Sequence, residues 1–438
     1  MDWREAYKDK IMSPEAAFAR IHSGDVVMSN FGGSIPYALL DALADYSLGH
    51  LENVTLWLAG FYKETKIGNK IYNDHISVKS SFFGPLERRT KAEGSDLSYQ
   101  AMHLSNASFD RLGKRRPDVI VTAGTEPDEQ GRISLGVNPF DPALLDICDT
   151  LIVQVNRNMP FVCGEGCLIP AERAACLVPL DEDLPELIMP PPNEDQRKIA
   201  AYIAELVPDG ACVQFGIGGV SAAIGEALMV RHDLGCHSEM FTEPLAKLMQ
   251  AGVINNSRKS FFPGKTVFTN ALGSRALYDY MDRNPALEAR PCGWVNDPRR
   301  IALNDNLISV NGALCVDLAG QVCAESIGFR QFSGTGGQVD FVRGARWSRG
   351  GKSFLTLASQ HVDKKGNRSS NIALTLPTGS IVTTPRADVH YIVTEYGIAD
   401  LLDEPVDVRA KRLISIAHPD FRDQLLFDAK KAGYIISE

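Results

Sequence analysis

Short apolar runs bounded by glycine and polar residues alternate along this chain with longer stretches in which apolar residues recur every three or four positions. The runs Asp118-Val119-Ile120-Val121, Leu151-Ile152-Val153-Gln154-Val155, Ala211-Cys212-Val213-Gln214-Phe215 and Leu307-Ile308-Ser309-Val310 predict buried strands. The stretches from Pro36 to Tyr46, Glu194 to Leu206 and Ser221 to Val230 predict helices. Strands and helices in alternation imply an α/β fold with largely parallel sheets. The segment from Asp181 to Asp195 is acidic and contains Pro190-Pro191-Pro192, and consecutive prolines hold a chain extended, so it reads as a linker. The expected domains are therefore residues 1–189 and 190–438.

The two halves repeat one plan. The run from Gly24 to Gly33, followed by a helix with Ala42-Leu43, parallels the run from Gly210 to Gly219, followed by a helix with Ala227-Leu228. Val119-Ile120-Val121 with Asp128-Glu129-Gln130-Gly131 parallels Ile308-Ser309-Val310 with Asp317-Leu318-Ala319-Gly320, at nearly the same spacing. Two matched pairs at one offset predict two similar open α/β domains.

Composition narrows the function. The chain has 438 residues, 44% of them hydrophobic and 23% charged, with 45 basic and 54 acidic side chains and a formal charge of −9. That is ordinary globular chemistry, and without a long basic stripe it argues against a nucleic-acid surface. No apolar run approaches the ~20 residues of a membrane helix, and the start lacks a targeting pattern, so a cytoplasmic protein is expected. The nine cysteines are scattered. Cys163 and Cys167 are not followed by a second pair at zinc-site spacing, so reduced, mostly buried thiols and no metal are expected.

The strongest local motif is Gly216-Ile217-Gly218-Gly219-Val220, between an apolar strand and a helix. Glycine there admits a ligand close to the backbone, and the helix start favours negative charge; the bland alternative is a turn that needs glycine for its dihedrals. A dinucleotide fingerprint would need glycine where Ser221 stands, and His232 to Ser238 is too polar and glycine-broken to read as the second buried strand. Gly351-Lys352-Ser353 ends like a phosphate loop, but Arg346 occupies the leading glycine position; there is no G-x-S-x-G and no H-E-x-x-H. A second glycine cluster, residues 333–341, reads as a loop rather than helix or strand interior. It is followed by Arg343, Arg346, Arg349, Lys352, Lys364, Lys365 and Arg368, cations that could grip phosphates or form a solvated face. Glu239, Glu243 and Asp233 are equally eligible acids on this reading.

His237-Ser238-Glu239-Met240-Phe241, Asn256-Ser257-Arg258-Lys259-Ser260, Val295-Asn296-Asp297-Pro298, the run from Gln321 to Gly328, the 333–341 loop and Val393-Thr394-Glu395-Tyr396-Gly397-Ile398-Ala399 resemble the acetyl-CoA hydrolase/transferase family (family I CoA-transferases). In the first half Pro127 to Gly131, Ser134-Leu135-Gly136, Val155-Asn156 and Met159-Pro160 match it too, so the likeness spans nearly the whole chain. Within that family the resemblance points to 4-hydroxybutyrate and butyrate CoA-transferases.

The resemblance implies a fold of two CoA-transferase-type domains with the active site between them. It makes Glu239 the covalent nucleophile and Asn311 the residue that steadies it, and puts CoA contacts on Gly216, Ile217, Gly218, Gly219, Val220, Gly336, Gly337 and Lys364. The substrates implied are an acyl-CoA and a short carboxylic acid, with no metal and a homo-oligomeric assembly. The chain departs from relatives at Thr242-Glu243-Pro244 and in the loop from Asn30 to Pro36, which leaves the acid open: butyrate, 4-hydroxybutyrate or a dicarboxylate such as itaconate. Rival functions are a short-chain acyl-CoA hydrolase, a non-catalytic CoA-binding module and a nicotinamide dehydrogenase.

Overall fold

A computed structural model describes residues 2–107 and 116–436. The chain divides into two compact units. The first holds Met1–Ile188 together with two segments that return to it, Glu239–Glu243 and Thr266–Val295; the second holds Met189–Ser238, Pro244–Lys265 and Asn296–Glu438.

The first unit is built on a parallel sheet of seven strands: β1 (Val26–Phe31), β2 (Val54–Ala59), β3 (Ile76–Ser80), β4 (Leu97–Tyr99), β5 (Val119–Gly124), β6 (Thr150–Val155) and β7 (Cys176–Pro179). Their order is β4-β3-β2-β1-β5-β6-β7, so the direction of winding reverses between β1 and β5. Both faces are covered. Val27, Leu56, Val78 and Val121 pack with Leu39, Leu40 and Leu43 of the helix Tyr37–Ser47, while Met28, Trp57, Ile120 and Val153 pack with Leu144 and Leu145 on the other face. Strands buried on two sides read as unbroken apolar runs, which is why the sequence shows them plainly.

The second unit repeats the plan. Strands β8 (Cys212–Phe215) and β9 (Gly235–Phe241), followed by β10 (Thr266–Ala271) and β11 (Leu287–Ala289), which pair in the returning segment, lead to β12 (Leu307–Gly312). With β13 (Lys352–Thr356), β14 (Tyr391–Thr394) and β15 (Gly397–Asp400) the sheet runs β9-β8-β12-β13-β14-β15. Here the winding reverses between β8 and β12, the counterparts of β1 and β5. The matched turns share their bonding too. Gly131 N–H donates to Asp128 O while Asp128 Oδ1 accepts from Gln130 and Arg132 amides; Gly320 N–H donates to Asp317 O while Asp317 Oδ1 accepts from Ala319 and Gln321 amides. Both glycines have positive φ, 71° and 94°, which the tight turn requires.

Three sequence expectations locate well: the helices fall at Tyr37–Ser47, Glu194–Glu205 and Gly219–Ala227. The helix Glu194–Glu205 starts on a capping box, Asn193 with Gln196, which fixes its first turn. One expectation fails. The polar stretch judged unfit for a buried strand is β9, with His237 and Ser238 wholly buried. It is tolerated because the His237 ring packs on Phe261 and Phe341, with centroids 6.5 and 6.2 Å away. Gly235 leaves room for the Lys259 stem, whose Nζ donates to the carbonyls of Cys236 and Lys265. The glycine cluster is corrected in part: residues 333–337 form a loop, but Gln338 opens the helix Gln338–Trp347. Among the described residues no helix is long and apolar enough to cross a membrane.

Candidate active site

In the second unit a cleft of about 380 Å³ opens at the carboxyl ends of β8, β12 and β13, where the winding reverses. Ligands of open α/β sheets bind at that place because the loops after the two central strands part there. Gly216, Ile217, Gly218, Gly219 and Val220 line it, with Asn311 and Gly312 from the end of β12 and Thr356–Ala358 from the end of β13. A Cβ on Gly216 or Gly218 would meet nothing within 4 Å, so the backbone is open to the cleft. Gly218 has φ 116°, a conformation that L side chains rarely adopt, and no side chain caps the helix that follows. The first-turn N–H groups of such a helix are donors for an anion or a developing oxyanion. Among the described lining residues there is no Lys or Arg, and Asp195 and Glu395 are acids, so the backbone donors are the positive groups this lining offers.

Asn311 is held in place. Its Nδ2 donates to Ser309 Oγ at 3.0 Å and to Gln214 Oε1 at 3.3 Å, while Gln214 Nε2 donates to Asn311 Oδ1 at 3.4 Å. Glu395, buried in the same cleft, accepts from the Ser359 amide and hydroxyl.

Gly336 and Gly337 precede the helix Gln338–Trp347 and are not among the cleft's lining residues, but the Gln338 side-chain Nε2 donates to Gly312 O at 2.7 Å and ties that helix start to it. Lys364 sits exposed in the turn between the paired strands Gln360–Val362 and Arg368–Ser370. Most of the cations expected to grip phosphates are otherwise engaged. Arg343 pairs with Asp388, Arg346 with Asp403, Arg349 with Asp305 and Arg368 with Asp420, while Lys352 donates to Leu206 O. Lys364 and Lys365 have no ion pair among the described residues.

Glu239 belongs to the first unit and lies half-buried near the end of β9, not at a helix start. Its charge, with that of Glu87, adds to burial in holding the Tyr62 phenol above its ordinary range. Tyr62 lies on the loop after β2. Its ring and the Asn270 amide both press on Gly32, where a Cβ would stand 3.1 and 3.2 Å from them. Asn270 Nδ2 reaches Met240 Sδ at 3.4 Å. Asn138 stitches this arrangement together: its Oδ1 accepts from Phe31 N–H, its carbonyl from Asn30 Nδ2, and its Nδ2 donates to Thr269 O. Tyr62, Glu87, Asn138 and Asn270 escaped the sequence reading because each stands alone in its loop, helix or strand. Only the loop from Asn30 to Pro36 carried a signal, its paired glycines.

An open α/β scaffold with a glycine loop of free backbone donors and a half-buried carboxylate on a parallel strand has the parts of an enzyme that handles an anionic substrate. The chain belongs to the acetyl-CoA hydrolase/transferase family, whose N-terminal domain matches residues 1–190 and whose C-terminal domain matches residues 273–429. It is 38% identical over 436 residues to the 4-hydroxybutyrate coenzyme A transferase of Clostridium kluyveri, covering 98% of this chain and all of that one. It is 37% identical to the butyryl-CoA:acetate CoA-transferase of Anaerostipes caccae, covering 99% and 98%. The crystal structure of RipA from Yersinia pestis superposes with a TM-score of 0.91 at 35% identity, covering 99% of this chain and 100% of that one.

Proposed function

We propose that the protein is an acyl-CoA:carboxylate CoA-transferase that moves CoA from a short acyl-CoA such as acetyl-CoA to a short-chain acid such as butyrate or 4-hydroxybutyrate, by ping-pong exchange through Glu239. The observation that carries this reading is a half-buried carboxylate on β9 whose charge acts on the buried Tyr62 phenol, in a chain whose other unit offers a glycine loop of backbone donors. The full-length relatives named as 4-hydroxybutyrate and butyryl-CoA:acetate transferases support it. Relatives named as acetyl-CoA hydrolases are more distant, at 23% and 22% identity.

The Glu239 carboxylate attacks the thioester carbonyl, the C–S bond breaks, and an acyl-glutamyl anhydride and CoA thiolate form. The thiolate attacks the glutamyl carbonyl and the first acid leaves, giving a glutamyl-CoA thioester. A second carboxylate attacks that thioester to form a new anhydride with Glu239. The released thiolate then attacks the acyl carbonyl of this anhydride, freeing the glutamate and the new acyl-CoA. Each attack builds an oxyanion, and one well-placed donor is worth roughly 3 kcal/mol in the transition state. Amides of Gly216 to Val220 are the proposed donors, and Asn311 the residue that steadies the carboxylate. Thioester is exchanged for thioester, so an ionised side chain suffices as nucleophile.

Incubation with acetyl-CoA alone, followed by borohydride reduction and peptide mass spectrometry, should find the adduct on Glu239. Glu239→Gln should lose nearly all exchange, because an amide is a poor nucleophile. Absence of the adduct, or activity retained by the variant, would reject the mechanism. Release of free CoA at full rate without an acceptor acid would identify a hydrolase instead.

A further inference from the structure

All nine cysteines are free thiols, and two of them face each other. After β12 the chain forms a small hairpin, Cys315–Asp317 against Val322–Cys323, closed by the turn from Asp317 to Gly320. In its antiparallel register Cys315 stands opposite Cys323 and Val316 opposite Val322, and Leu314 N–H donates to Cys323 O at 2.8 Å. Directly opposed residues of such a ladder have Cα atoms about 4.5–5.5 Å apart and side chains on one face. Disulfides span about 4.4–6.8 Å between Cα atoms. A directly opposed pair such as Cys315 and Cys323 therefore falls within the Cα span that a disulfide bridges.

We propose that Cys315 and Cys323 are a modification site that closes an intrachain disulfide when the protein meets a peroxide. The chemistry of the two sulfurs fits. Cys323 is wholly buried, with Sγ 3.2 Å from Ser326 O and 3.4 Å from Ser326 Oγ, and Cys315 is half-exposed. A bond from the Cys315 thiol, helped by Ser326 and set against burial, pulls Cys323 down to about 5, and the same bond pushes Cys315 up. Cys315 is the thiol that a peroxide reaches: it gives its proton to solvent, its sulfur attacks one peroxide oxygen, the O–O bond breaks, and the departing hydroxide takes a proton from solvent to become water. The Cys323 sulfur then attacks the sulfenic sulfur of Cys315, the S–O bond breaks, and the hydroxide leaves as a second water with the proton of the Cys323 thiol. Two thiols and one hydrogen peroxide give one disulfide and two waters; each sulfur loses one electron and the peroxide gains two.

The cross-link would lie on a functional stretch. Cys315 follows Asn311 and Gly312 of the cleft. Glu325, two residues after Cys323, holds the loop that leads to Gly336 and Gly337: its carbonyl accepts from the Phe332 and Ser333 amides and its carboxylate from Thr335 Oγ1.

The test treats the native protein with graded hydrogen peroxide, quenches with catalase, unfolds it in an alkylating reagent and digests it with trypsin. Residues 301–330 form one tryptic peptide whose only cysteines are these two. The expected product is that peptide lighter by about 2 Da, unalkylated, and restored by dithiothreitol, at doses that leave the other seven cysteines open to alkylation. Cys315→Ser, at the half-exposed position, should abolish the product while leaving the melting temperature unchanged. The proposal is overturned if the peptide remains fully alkylated at doses that oxidise other cysteines, if it gains oxygen without cross-linking, or if Cys323 pairs elsewhere.

Discussion

Glu87 offers a test of how tightly the structure around Glu239 is packed. It sits in the first turn of the helix Pro85–Ala92 with no exposed surface, and its Oε1 accepts the Phe61 N–H, pinning the loop that carries Tyr62. Burial pushes its carboxyl up to about 7 from an ordinary 4.5, against the amides of Phe61, Gly84 and Glu87 itself. That gap makes ionisation in the folded state about 3 kcal/mol more costly than in the unfolded chain. Below pH 4.5 the group is neutral in both states and costs nothing. Between 4.5 and 7 the unfolded chain ionises first, so stability falls as pH rises; above 7 both states are charged and the loss is complete. Glu87→Gln keeps the shape and the acceptor oxygen but cannot titrate. Urea unfolding at pH 5 and pH 8, followed by tryptophan fluorescence, should show the variant gaining about 2 to 3 kcal/mol on the wild type between the two pH values. Other groups cancel in that comparison. A stability difference that stays constant from pH 5 to pH 8 would refute the reasoning, since it would mean that the carboxyl is not desolvated by the packing described.

Two further substitutions address the cleft. Asn311→Ala removes the paired amides with Gln214, which is 3% exposed, and should cost about 1 to 2 kcal/mol in stability. If Asn311 steadies the nucleophile, kcat should fall by about tenfold or more with little change in KM for acyl-CoA; an unchanged kcat would remove it from the mechanism. Gly218→Ala forces a Cβ onto φ 116° and should cost about 1 to 3 kcal/mol while weakening CoA binding measured by calorimetry. Gly252→Ala, also at positive φ with open space around it but outside the cleft, is the control that should strain the chain without touching CoA affinity. Equal affinity in both variants would argue against the glycine loop as the CoA cradle.

Much of this protein is written in local pattern. The central strands β5, β6 and β8 are apolar runs because they are buried on two faces. The matched turns at Asp128–Gly131 and Asp317–Gly320 are legible because an Asp side chain capping two amides before a positive-φ glycine is a property of four or five consecutive residues. The glycine loop at 216–220 was readable for the same reason, and family likeness singled out Glu239 from acids that composition could not separate.

The tertiary structure decided what depends on residues far apart in the chain. Strand β9 looked too polar to bury, and only the rings of Phe261 and Phe341 and the stem of Lys259 make that burial affordable. The cations after the second glycine cluster could be read as a phosphate grip or a solvated face, and aspartates up to 57 residues away pair with four of them, Arg343, Arg346, Arg349 and Arg368. Tyr62, Asn138 and Asn270 leave no trace in sequence, since their roles arise from where three strand ends converge. Period and turn chemistry are fixed by neighbours along the chain; the neutralisation of a charge, or the burial of a polar group, is fixed by whatever the fold brings against it.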